Sequence, residues 1–157
     1  MTALQRRGIG AAAGSLLLLA AALAFQYLGG LAPCPMCVWQ RWPHVAAVAL
    51  GLALLALPRR PLAALGALAM LVGAGLGLYH VGVEQGWWRG PTSCVAPDVG
   101  GLSSEQLLES ILAAPVVRCD EIAWSLLGVS MAGWNALASL ALAVLWMRAY
   151  ASSSASQ

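Results

Sequence analysis

Four long stretches without a charged side chain dominate this sequence. Residues 8–40, 42–58, 61–83 and 122–147 contain no Asp, Glu, Lys or Arg. A bilayer core of about 30 Å is crossed by about 20 residues of α-helix, so each stretch can hold one span. The stretches are continuously apolar, whereas a membrane β-strand would alternate polar and apolar residues. They therefore predict membrane-spanning helices, whose backbone groups are satisfied within each segment.

Composition supports a membrane protein. Hydrophobic residues make up 61% of the chain and charged residues 9%, compared with roughly 25% charged residues in soluble domains. Such a chain cannot cover a globule with polar surface. The expected fold is an all-α membrane protein, a four-transmembrane-helix bundle. It forms one domain over residues 1–150, followed by a disordered cytoplasmic tail at 151–157. After allowance for turns, the spans lie near 9–29, 38–57, 62–82 and 129–148.

The arginines predict how the bundle is oriented. Five of them flank the spans on one side, namely Arg6, Arg7, Arg59, Arg60 and Arg148. The other three arginines and all six acidic residues lie on the opposite side. Because loops rich in arginine stay in the cytoplasm, both termini are expected there. The outer loops are then a short one, about 30–37, and a long one, about 83–128.

The long outer loop contains an amphipathic segment, SSEQLLESILAAP, at residues 103–115. Ser103 followed by Gln106 is typical of a capping box at a helix N-terminus. Pro115 is expected to end this helix. A helix this short is marginal by itself in water, so we expect it to lie on the membrane surface with its apolar side down. Packing on a partner is the alternative.

Two further patterns concern how the helices sit and pack. Most tryptophans fall near the predicted outer boundary, whereas Trp146 and Tyr150 fit the inner one, as expected of rings that prefer the headgroup level. Gly73 and Gly77 form a G-x-x-x-G pair, which predicts close helix packing and carries no functional weight.

All four cysteines of the chain, Cys34, Cys37, Cys94 and Cys119, fall on the predicted outer side. Outside a cytoplasmic membrane, thiols can form disulfides. Four cysteines allow three pairings. Their positions in the two loops favour Cys34 with Cys37 and Cys94 with Cys119.

A metal site and simple stapling are the alternative interpretations of the cysteines. Zinc sites with four cysteines usually show two close pairs, but Cys94 and Cys119 are far apart in the chain. A stapling disulfide suits that second pair. It suits Cys34 and Cys37 poorly, because closing so small a ring removes little entropy from the unfolded chain. A C-x-x-C disulfide is useful mainly because it can open and close.

The residues around the first pair favour a reactive thiolate. Pro35 suits the first position of a helix, which places Cys34 near the cap and Cys37 in the first turn. The positive end of the helix dipole lowers the pKa of a thiol there. Arg41 lies one turn further along the same face. A charge at the membrane edge is a functional-site hypothesis, with a snorkelling interfacial arginine as the alternative.

Together these features resemble the DsbB family, the bacterial inner-membrane disulfide bond formation proteins. The resemblance covers nearly the whole chain. It rests on the four spans, on CPMCVWQR at 34–41 and on YHVGVEQG at 79–86. It also rests on the lone Cys94 in the long loop and on CDEIAWSLLGVSMAGWN at 119–135. The resemblance implies reoxidation of a periplasmic thioredoxin-like thiol oxidase, DsbA, with electrons passing to ubiquinone or menaquinone in the membrane.

The resemblance also implies a role for each cysteine. Cys94 would be attacked by the reduced partner, and Cys119 would be its exchange partner. Cys119 would then link transiently to Cys34, and Cys37 would meet the quinone. Arg41 would sit beside the quinone and stabilise its developing negative charge. This order requires accessible sulfur atoms in the long loop, and we expect that loop to expose them.

Several polar residues near these cysteines are weaker candidates. His80 can hydrogen-bond a quinone oxygen, or it can be satisfied by backbone or interfacial water. Glu84 can pair with His80 or with Arg89. His44 is expected to be a polar interfacial residue. Some family members have an acidic residue before the arginine, but Gln40 stands there in this chain, which leaves the proton route unassigned.

Two other function classes remain as alternatives. A vitamin K epoxide reductase-like protein also combines a helical bundle, a C-x-x-C motif and a quinone, but it is expected to carry that motif at a later helix. A non-catalytic membrane scaffold would bind no quinone, and Cys37→Ser would not affect electron flow in it. The partners expected of the chain are the thiol oxidase, the quinone and the lipid bilayer, with no nucleic acid.

Overall fold

The structure, a computed structural model, describes residues 1–91, 94, 103–113 and 117–152. These residues are mostly helical, as the apolar stretches predict. In chain order the elements are α1 (Ala3–Tyr27), α2 (Pro35–Trp39), α3 (Arg41–Ala56), α4 (Arg60–Glu84), α5 (Ser104–Ala113), β1 (Ser125–Leu126), β2 (Val129–Ser130) and α6 (Met131–Ser152).

Two helices of the described residues, α1 and α4, are long and apolar enough to cross a membrane. Each has 25 residues. The helix α3 has only 16 residues, because the chain turns at Gln40 and the preceding five residues form the separate helix α2. The helix α6 is long, but it carries Asn135 and Arg148. The second and fourth predicted spans therefore stay predictions.

Local sequence explains where most helices begin. Thr2 caps α1 in a reciprocal capping box with Gln5, so the helix starts several residues before the predicted span. The Gln5 side chain also donates to the Leu54 and Leu55 carbonyls, which ties the start of α1 to the end of α3. Pro61 lies in the first turn of α4, a position where its missing N–H costs nothing.

A small β-hairpin precedes α6, at the boundary between the predicted outer loop, which ends near 128, and the predicted fourth span. Strands β1 and β2 are antiparallel, with Ser125 paired to Ser130. Leu127 and Gly128 connect them with φ of 54° and 77°, which is the left-handed geometry of a two-residue type I′ turn. The predicted fourth span from 129 is thus shifted, and the helix starts at Met131. A glycine before the helix was the available sequence signal.

The helices α1, α3, α4 and α6 pack on one another, with α4 and α6 in the most extensive contact. Gly73 and Gly77 lie at that contact, which confirms their predicted packing role. A Cβ on Gly77 would lie 3.0 Å from the Ala136 side chain, and one on Gly73 would lie 3.2 Å from Ser139 Oγ. Glycine therefore lets the two backbones approach closely.

Away from the cysteines, the helices meet in a cluster of small and aliphatic residues around Trp146, which we call the apolar core. Its buried members are Leu4, Ala11, Ala12, Ala47, Leu54, Ala63, Ala67, Met70, Leu142, Ala143, Trp146 and Ala149. Trp146 is completely buried, so its predicted place at the inner interface is wrong. Its indole ring occupies the space that a side chain on Gly66 would need.

The capping box of the amphipathic segment is confirmed. Ser103 Oγ accepts from the Gln106 N–H at 3.3 Å, and Gln106 Oε1 accepts from the Ser103 N–H at 3.0 Å. Leu108 and Leu112 of α5 are exposed, as expected of side chains that face lipid. The predicted helix end at Pro115 and residues 153–157 of the predicted tail lie outside the described residues.

Candidate functional site

The first cysteine pair occupies the start of α2, as its sequence predicts. Cys34 is the N-cap residue and Pro35 follows at the first helical position. Cys34 Sγ accepts a hydrogen bond from the Cys37 N–H at 3.2 Å. The two Sγ atoms lie 2.7 Å apart, and both residues are free thiols. The favoured pairing is therefore present as a close thiol contact, which needs only a small approach to become a disulfide.

The two thiols of this pair have different acidities. The Cys34 thiol donates to Cys37 Sγ, and this hydrogen bond lowers the pKa of Cys37 to about 7, although burial opposes it. The same hydrogen bond, followed by burial, raises the pKa of Cys34 far above its ordinary value. The charge of Arg41 also lowers the pKa of Cys37, and that of Glu84 raises it. Cys37 is therefore the more acidic thiol of the pair, and a substantial fraction of it is thiolate at neutral pH.

The second pair, Cys94 and Cys119, forms a disulfide, as the loop positions predict. The Cys119 N–H donates to the Cys94 carbonyl at 2.7 Å. Because both sulfur atoms are used in this bond, the alternative of a zinc ion held by four cysteines does not apply to this structure. Both residues are completely buried, so the expected accessibility of these sulfurs is wrong. Packing on Met36 and Val83 covers them.

The two cysteine pairs lie side by side. Cys34, Cys94 and Cys119 belong to one buried group, completed by Met36 and Val83. We call it the cysteine cluster. His80, on α4, joins its two halves, because its Nε2 atom lies 3.7 Å from Cys34 Sγ and 3.2 Å from the Cys119 carbonyl oxygen. Residues distant in the sequence thus meet at a single imidazole nitrogen.

The hydrogen bonds of Gln40 determine which nitrogen of His80 carries the proton. Gln40 Nε2 lies 3.3 Å from the Met36 carbonyl, which can only accept, so this end of the amide must be the NH₂ group. Its other hydrogen then points at His80 Nδ1, 2.7 Å away. Nδ1 is therefore the acceptor, and Nε2 carries the hydrogen that is donated to the Cys119 carbonyl.

A second histidine continues this network towards the middle of the bundle. Asn135 Nδ2 donates to Gln40 Oε1 at 2.8 Å, and Asn135 Oδ1 lies 3.0 Å from His44 Nε2. Ser139 Oγ lies 3.4 Å from the same nitrogen. His44 is 2% exposed, so the prediction of an interfacial histidine is wrong. Its Nδ1 atom has no hydrogen-bond partner among the described residues.

Glu84 reaches the same region from the last turn of α4. Its side chain is only 5% exposed, and Oε1 lies 4.0 Å from His80 Nε2, which brings it close to His80 without a hydrogen bond. Ser130 Oγ accepts from the Gly133 N–H, so its hydroxyl hydrogen is available for Glu84 Oε2. Ser130 thereby caps α6 and fixes one oxygen of this carboxyl group.

Arg41 is half-buried at the start of α3, and its guanidinium donates to Gln26 Oε1 at 2.7 Å. Gln26 and Asn135 were not predicted as site residues. A polar side chain within an apolar helix was the available signal for both. Arg118, by contrast, is paired with Asp120 and Glu121 at the surface.

A cavity of about 340 Å³ adjoins the first cysteine pair. Its polar lining comes from the residues described above, including Cys37, Arg41, His44, His80 and Glu84. The rest of its wall is mostly apolar and includes Leu18, Leu19, Phe25, Met131 and Trp134. An apolar cavity with a few converging polar groups is typical of a small-molecule site.

Cys34, Cys37 and His80 also present three donor atoms that could bind a metal, all within 4.8 Å of one another. Two thiolates on one tetrahedral zinc ion lie about 3.8 Å apart when each Zn–S bond is about 2.3 Å. The observed sulfur separation of 2.7 Å is much shorter. This pair therefore has the geometry of a dithiol close to disulfide formation.

Comparison with known proteins agrees with this chemistry. The family model described as "Disulfide bond formation protein DsbB" matches residues 6–149. "Disulfide bond formation protein B" of Verminephrobacter eiseniae is 36% identical over 138 residues, which cover 82% of this chain and 75% of that protein.

Two more relatives bear the same description. The protein of Methylococcus capsulatus is 34% identical over 80% of both chains. That of Stutzerimonas stutzeri is 29% identical over 85% of this chain and 87% of its own length. No solved structure matches the chain. Because the family match spans nearly all of the sequence, including every residue of the site, this chain belongs to the DsbB family of disulfide bond formation proteins.

Proposed function

We propose that this protein is a thiol:quinone oxidoreductase of a bacterial inner membrane. It reoxidises the dithiol of a periplasmic DsbA-like thiol oxidase and passes the electrons to ubiquinone or menaquinone. The observation that carries this proposal is the shared cavity of Cys37 and Arg41. A thiolate and a permanent positive charge border one apolar space, next to a second, oxidised cysteine pair.

The chemistry of the cavity fits a quinone head group. A quinone ring is flat and apolar and carries two carbonyl oxygens that accept hydrogen bonds. The apolar wall suits the ring, and the Arg41 guanidinium supplies donors that stay charged at every relevant pH. Gln26 holds that guanidinium in place through its hydrogen bond. The bound quinone would supply a two-electron acceptor, while this chain supplies position and charge.

Arg41, Cys37 and His80 would border the quinone. His80 also lines the cavity, but its hydrogen bonds go to Gln40 and to the Cys119 carbonyl. Its main contribution would therefore be to hold the two cysteine pairs together. Arg41 would stabilise negative charge that develops on the ring oxygen.

The four cysteines would exchange disulfides in a fixed order. The partner's thiolate attacks Cys94 Sγ and releases the Cys119 thiolate. Cys119 then attacks Cys34 in the oxidised first pair, which breaks the Cys34–Cys37 bond and leaves Cys37 as the thiolate. The contact of His80 with Cys34 and with the Cys119 carbonyl supports this step. Because Cys94 is buried, it must become exposed before the partner can attack it.

The membrane placement is part of the proposal. Helices α1, α2 with α3, α4 and α6 would form a four-helix transmembrane bundle within one domain, residues 1–150. The termini would lie in the cytoplasm and the cysteines on the periplasmic side, with α5 on the membrane surface. Exposed leucines on the outer faces of the long helices support it, among them Leu17, Leu52, Leu68, Leu78 and Leu137. Lipid is the solvent in which such faces are stable.

The test uses the purified full-length chain in detergent, a reduced thioredoxin-like partner and ubiquinone, followed by quinone absorbance. The native chain should couple thiol oxidation to quinone reduction. Cys37→Ser should abolish the coupling, and Arg41→His should weaken the apparent quinone affinity. Arg59→His, at the other end of the bundle, is the matched control. A native chain that oxidises no partner in the presence of either quinone would refute the proposal.

A variant result would also separate the alternatives. If Cys37→Ser left electron flow unchanged, the cysteines would be structural staples of a membrane scaffold. If Arg41→His left the apparent quinone affinity unchanged, the role of Arg41 would be wrong, while the thiol oxidase activity could stand.

A further inference from the structure

Closure of the first cysteine pair releases a proton that neither cysteine can keep. When Cys34 and Cys37 become a disulfide, the Cys34 thiol and the Cys37 thiolate together lose one proton and two electrons. In the proposed function, on which this inference rests, the electrons go to the quinone. The proton belongs to Cys34, which is 3% exposed. A group inside the protein must therefore accept it.

His80 is the nearest titratable side chain to Cys34 outside its own pair, but its hydrogen bonds make it a poor acceptor. Nε2 already carries a hydrogen and faces the Cys119 carbonyl at 3.2 Å. Nδ1 receives the amide hydrogen of Gln40. Protonation at Nδ1 would require Gln40 to turn its amide round, which would direct its oxygen at the Met36 carbonyl. Gln40 thus keeps His80 neutral.

Glu84 has the properties that His80 lacks. One carboxyl oxygen, Oε2, is engaged by Ser130, whereas Oε1 faces His80 Nε2 at 4.0 Å. The same nitrogen lies 3.7 Å from Cys34 Sγ, so the thiol and the carboxylate both lie next to one imidazole nitrogen, and both residues border the cavity. The side chain borders the cavity and is nearly buried.

The other charged and titratable groups at the cavity do not compete for this role. They come from α2, α3, α4 and the segment before β1, and comprise Cys34, Cys37, Arg41, His44, His80, Arg118 and Glu121. Among the described residues His44 makes no hydrogen bond to either thiol, and Gln40 and Asn135 stand between it and His80. Arginine does not accept a proton. Glu121 is paired with Arg118, and its side chain is 68% exposed. Among the described residues, Glu84 is therefore the buried carboxylate of this site.

We infer that Glu84 accepts the proton of the Cys34 thiol when the Cys34–Cys37 disulfide closes. The S–H bond of Cys34 breaks and the S–S bond forms, while the carboxylate becomes a carboxylic acid. The proton is then held at the cavity, beside the place where the proposed electron acceptor would take it up.

Closure of the disulfide can be measured without a quinone or a partner. The full chain with Cys94→Ser and Cys119→Ser is reduced and mixed with an aromatic disulfide whose thiol is coloured. Cys37, the half-buried thiolate, attacks first and releases one coloured thiol. Cys34 then attacks Cys37 Sγ, releases the second coloured thiol and loses its proton. Stopped-flow absorbance resolves the two phases.

Glu84→Gln should slow the second phase about 100-fold at neutral pH, which is typical of the loss of a general base. The remaining rate should rise in proportion to hydroxide. Glu84→Asp should recover part of the rate, because it restores a carboxylate. Asp120→Asn is the matched control, since it removes a nearby carboxylate that is already paired with Arg118, and it should leave both phases unchanged.

The first phase reports whether the site is intact. In Glu84→Gln it should remain, with its pH midpoint lowered, because the charge of Glu84 no longer opposes the Cys37 thiolate. A second phase within about twofold of the parent would overturn the inference. If Glu84→Gln does not react with the aromatic disulfide at all, the test falls to the chain that keeps Glu84. A second-phase rate proportional to hydroxide at every pH in that chain would equally refute a protein base. Both measurements are made without a quinone, so they test the role of Glu84 independently of the quinone-reduction assay of the proposed function.

Discussion

The two buried centres of this protein, the apolar core and the cysteine cluster, are stabilised by different interactions. In the apolar core, alanines and glycines let the helices close around Trp146, and the contacts are almost entirely apolar. Around the cysteine cluster, the same helices bury two histidines, an amide and a nearly buried carboxylate. Buried polar groups cost free energy unless they are hydrogen-bonded. Here they bond to one another in a connected network.

The apolar core and the polar network beside the cysteine cluster each contain one buried nitrogen that has no hydrogen-bond partner among the described residues, Trp146 Nε1 and His44 Nδ1. The indole nitrogen belongs to a ring held by packing, and its cost is offset by the apolar area that the ring buries. The imidazole nitrogen belongs to a residue that borders the cavity. The apolar core and the cysteine cluster share no buried residue, so we expect a substitution in one to leave the other largely unchanged.

The largest effect is expected at the apolar core. Trp146→Ala should lower the free energy of unfolding by about 3–5 kcal/mol, because it leaves a cavity where the helices close. Denaturant unfolding in mild detergent measures the loss, with the exposed Trp42→Ala as control. The pH midpoint of Cys37 alkylation should stay near 7. A cost similar to that of Trp42→Ala would mean that the apolar core is not the packing centre.

A smaller loss of stability is expected in the polar network. Asn135→Leu leaves Gln40 Oε1 without its Asn135 donor and His44 Nε2 with only the 3.4 Å contact of Ser139 Oγ, which should cost about 1–3 kcal/mol. Leu137→Ala, on the exposed side of the same helix, is the control. The comparison between the two centres would be weakened if Asn135→Leu stabilised the protein, since the network would then be dispensable for packing.

The acidity of Cys37 tests the first pair directly. Its thiolate fraction, and so its alkylation rate, should rise with pH through a midpoint of about 7. Cys34→Ala removes the largest cause of the low pKa and should move the midpoint up, towards the ordinary value of 9.0. At neutral pH the variant should therefore react much more slowly. Cys34→Ser keeps a hydroxyl donor and should shift less. Equal shifts would exclude the hydrogen bond as the cause.

The smallest effect is expected from Arg41. Its charge lowers the pKa of Cys37, but it ranks behind the hydrogen bonds from Cys34 and behind burial. Arg41→Gln should therefore raise the alkylation midpoint by less than about one pH unit, and Gln26→Ala by less still. Arg148→Gln, at the other end of the bundle, is the control. A rise as large as that of Cys34→Ala would show that charge, and not the hydrogen bond, controls this thiol.

Sequence patterns predicted the local parts of this structure well. The charge-free runs gave helices, Pro35 placed Cys34 at a cap, and Ser103 with Gln106 formed a capping box. Each of these depends on residues a few positions apart. The hairpin at Leu127 was missed, because a two-residue turn leaves only a weak signal in an apolar segment.

The site was predicted in part. The cysteine pairs and the proximity of His80 to Glu84 follow from short spacings or loop positions. Three features could not be predicted from the sequence: the burial of His44, its hydrogen bond to Asn135, and the hydrogen bond between Gln26 and Arg41. Those contacts join different helices, and they depend on how each helix is rotated about its axis.

By itself the sequence determined that the chain is too apolar for an ordinary soluble domain. It also determined most of the helices and the paired thiols of Cys34 and Cys37. Only the tertiary structure decided which polar residues meet. It joined His80 to Gln40 across two helices, set Glu84 against Ser130 and buried Trp146 against Gly66. The physical reason is that periodicity and capping are local properties of the chain. The partners of a buried polar group are set by the packing of whole helices.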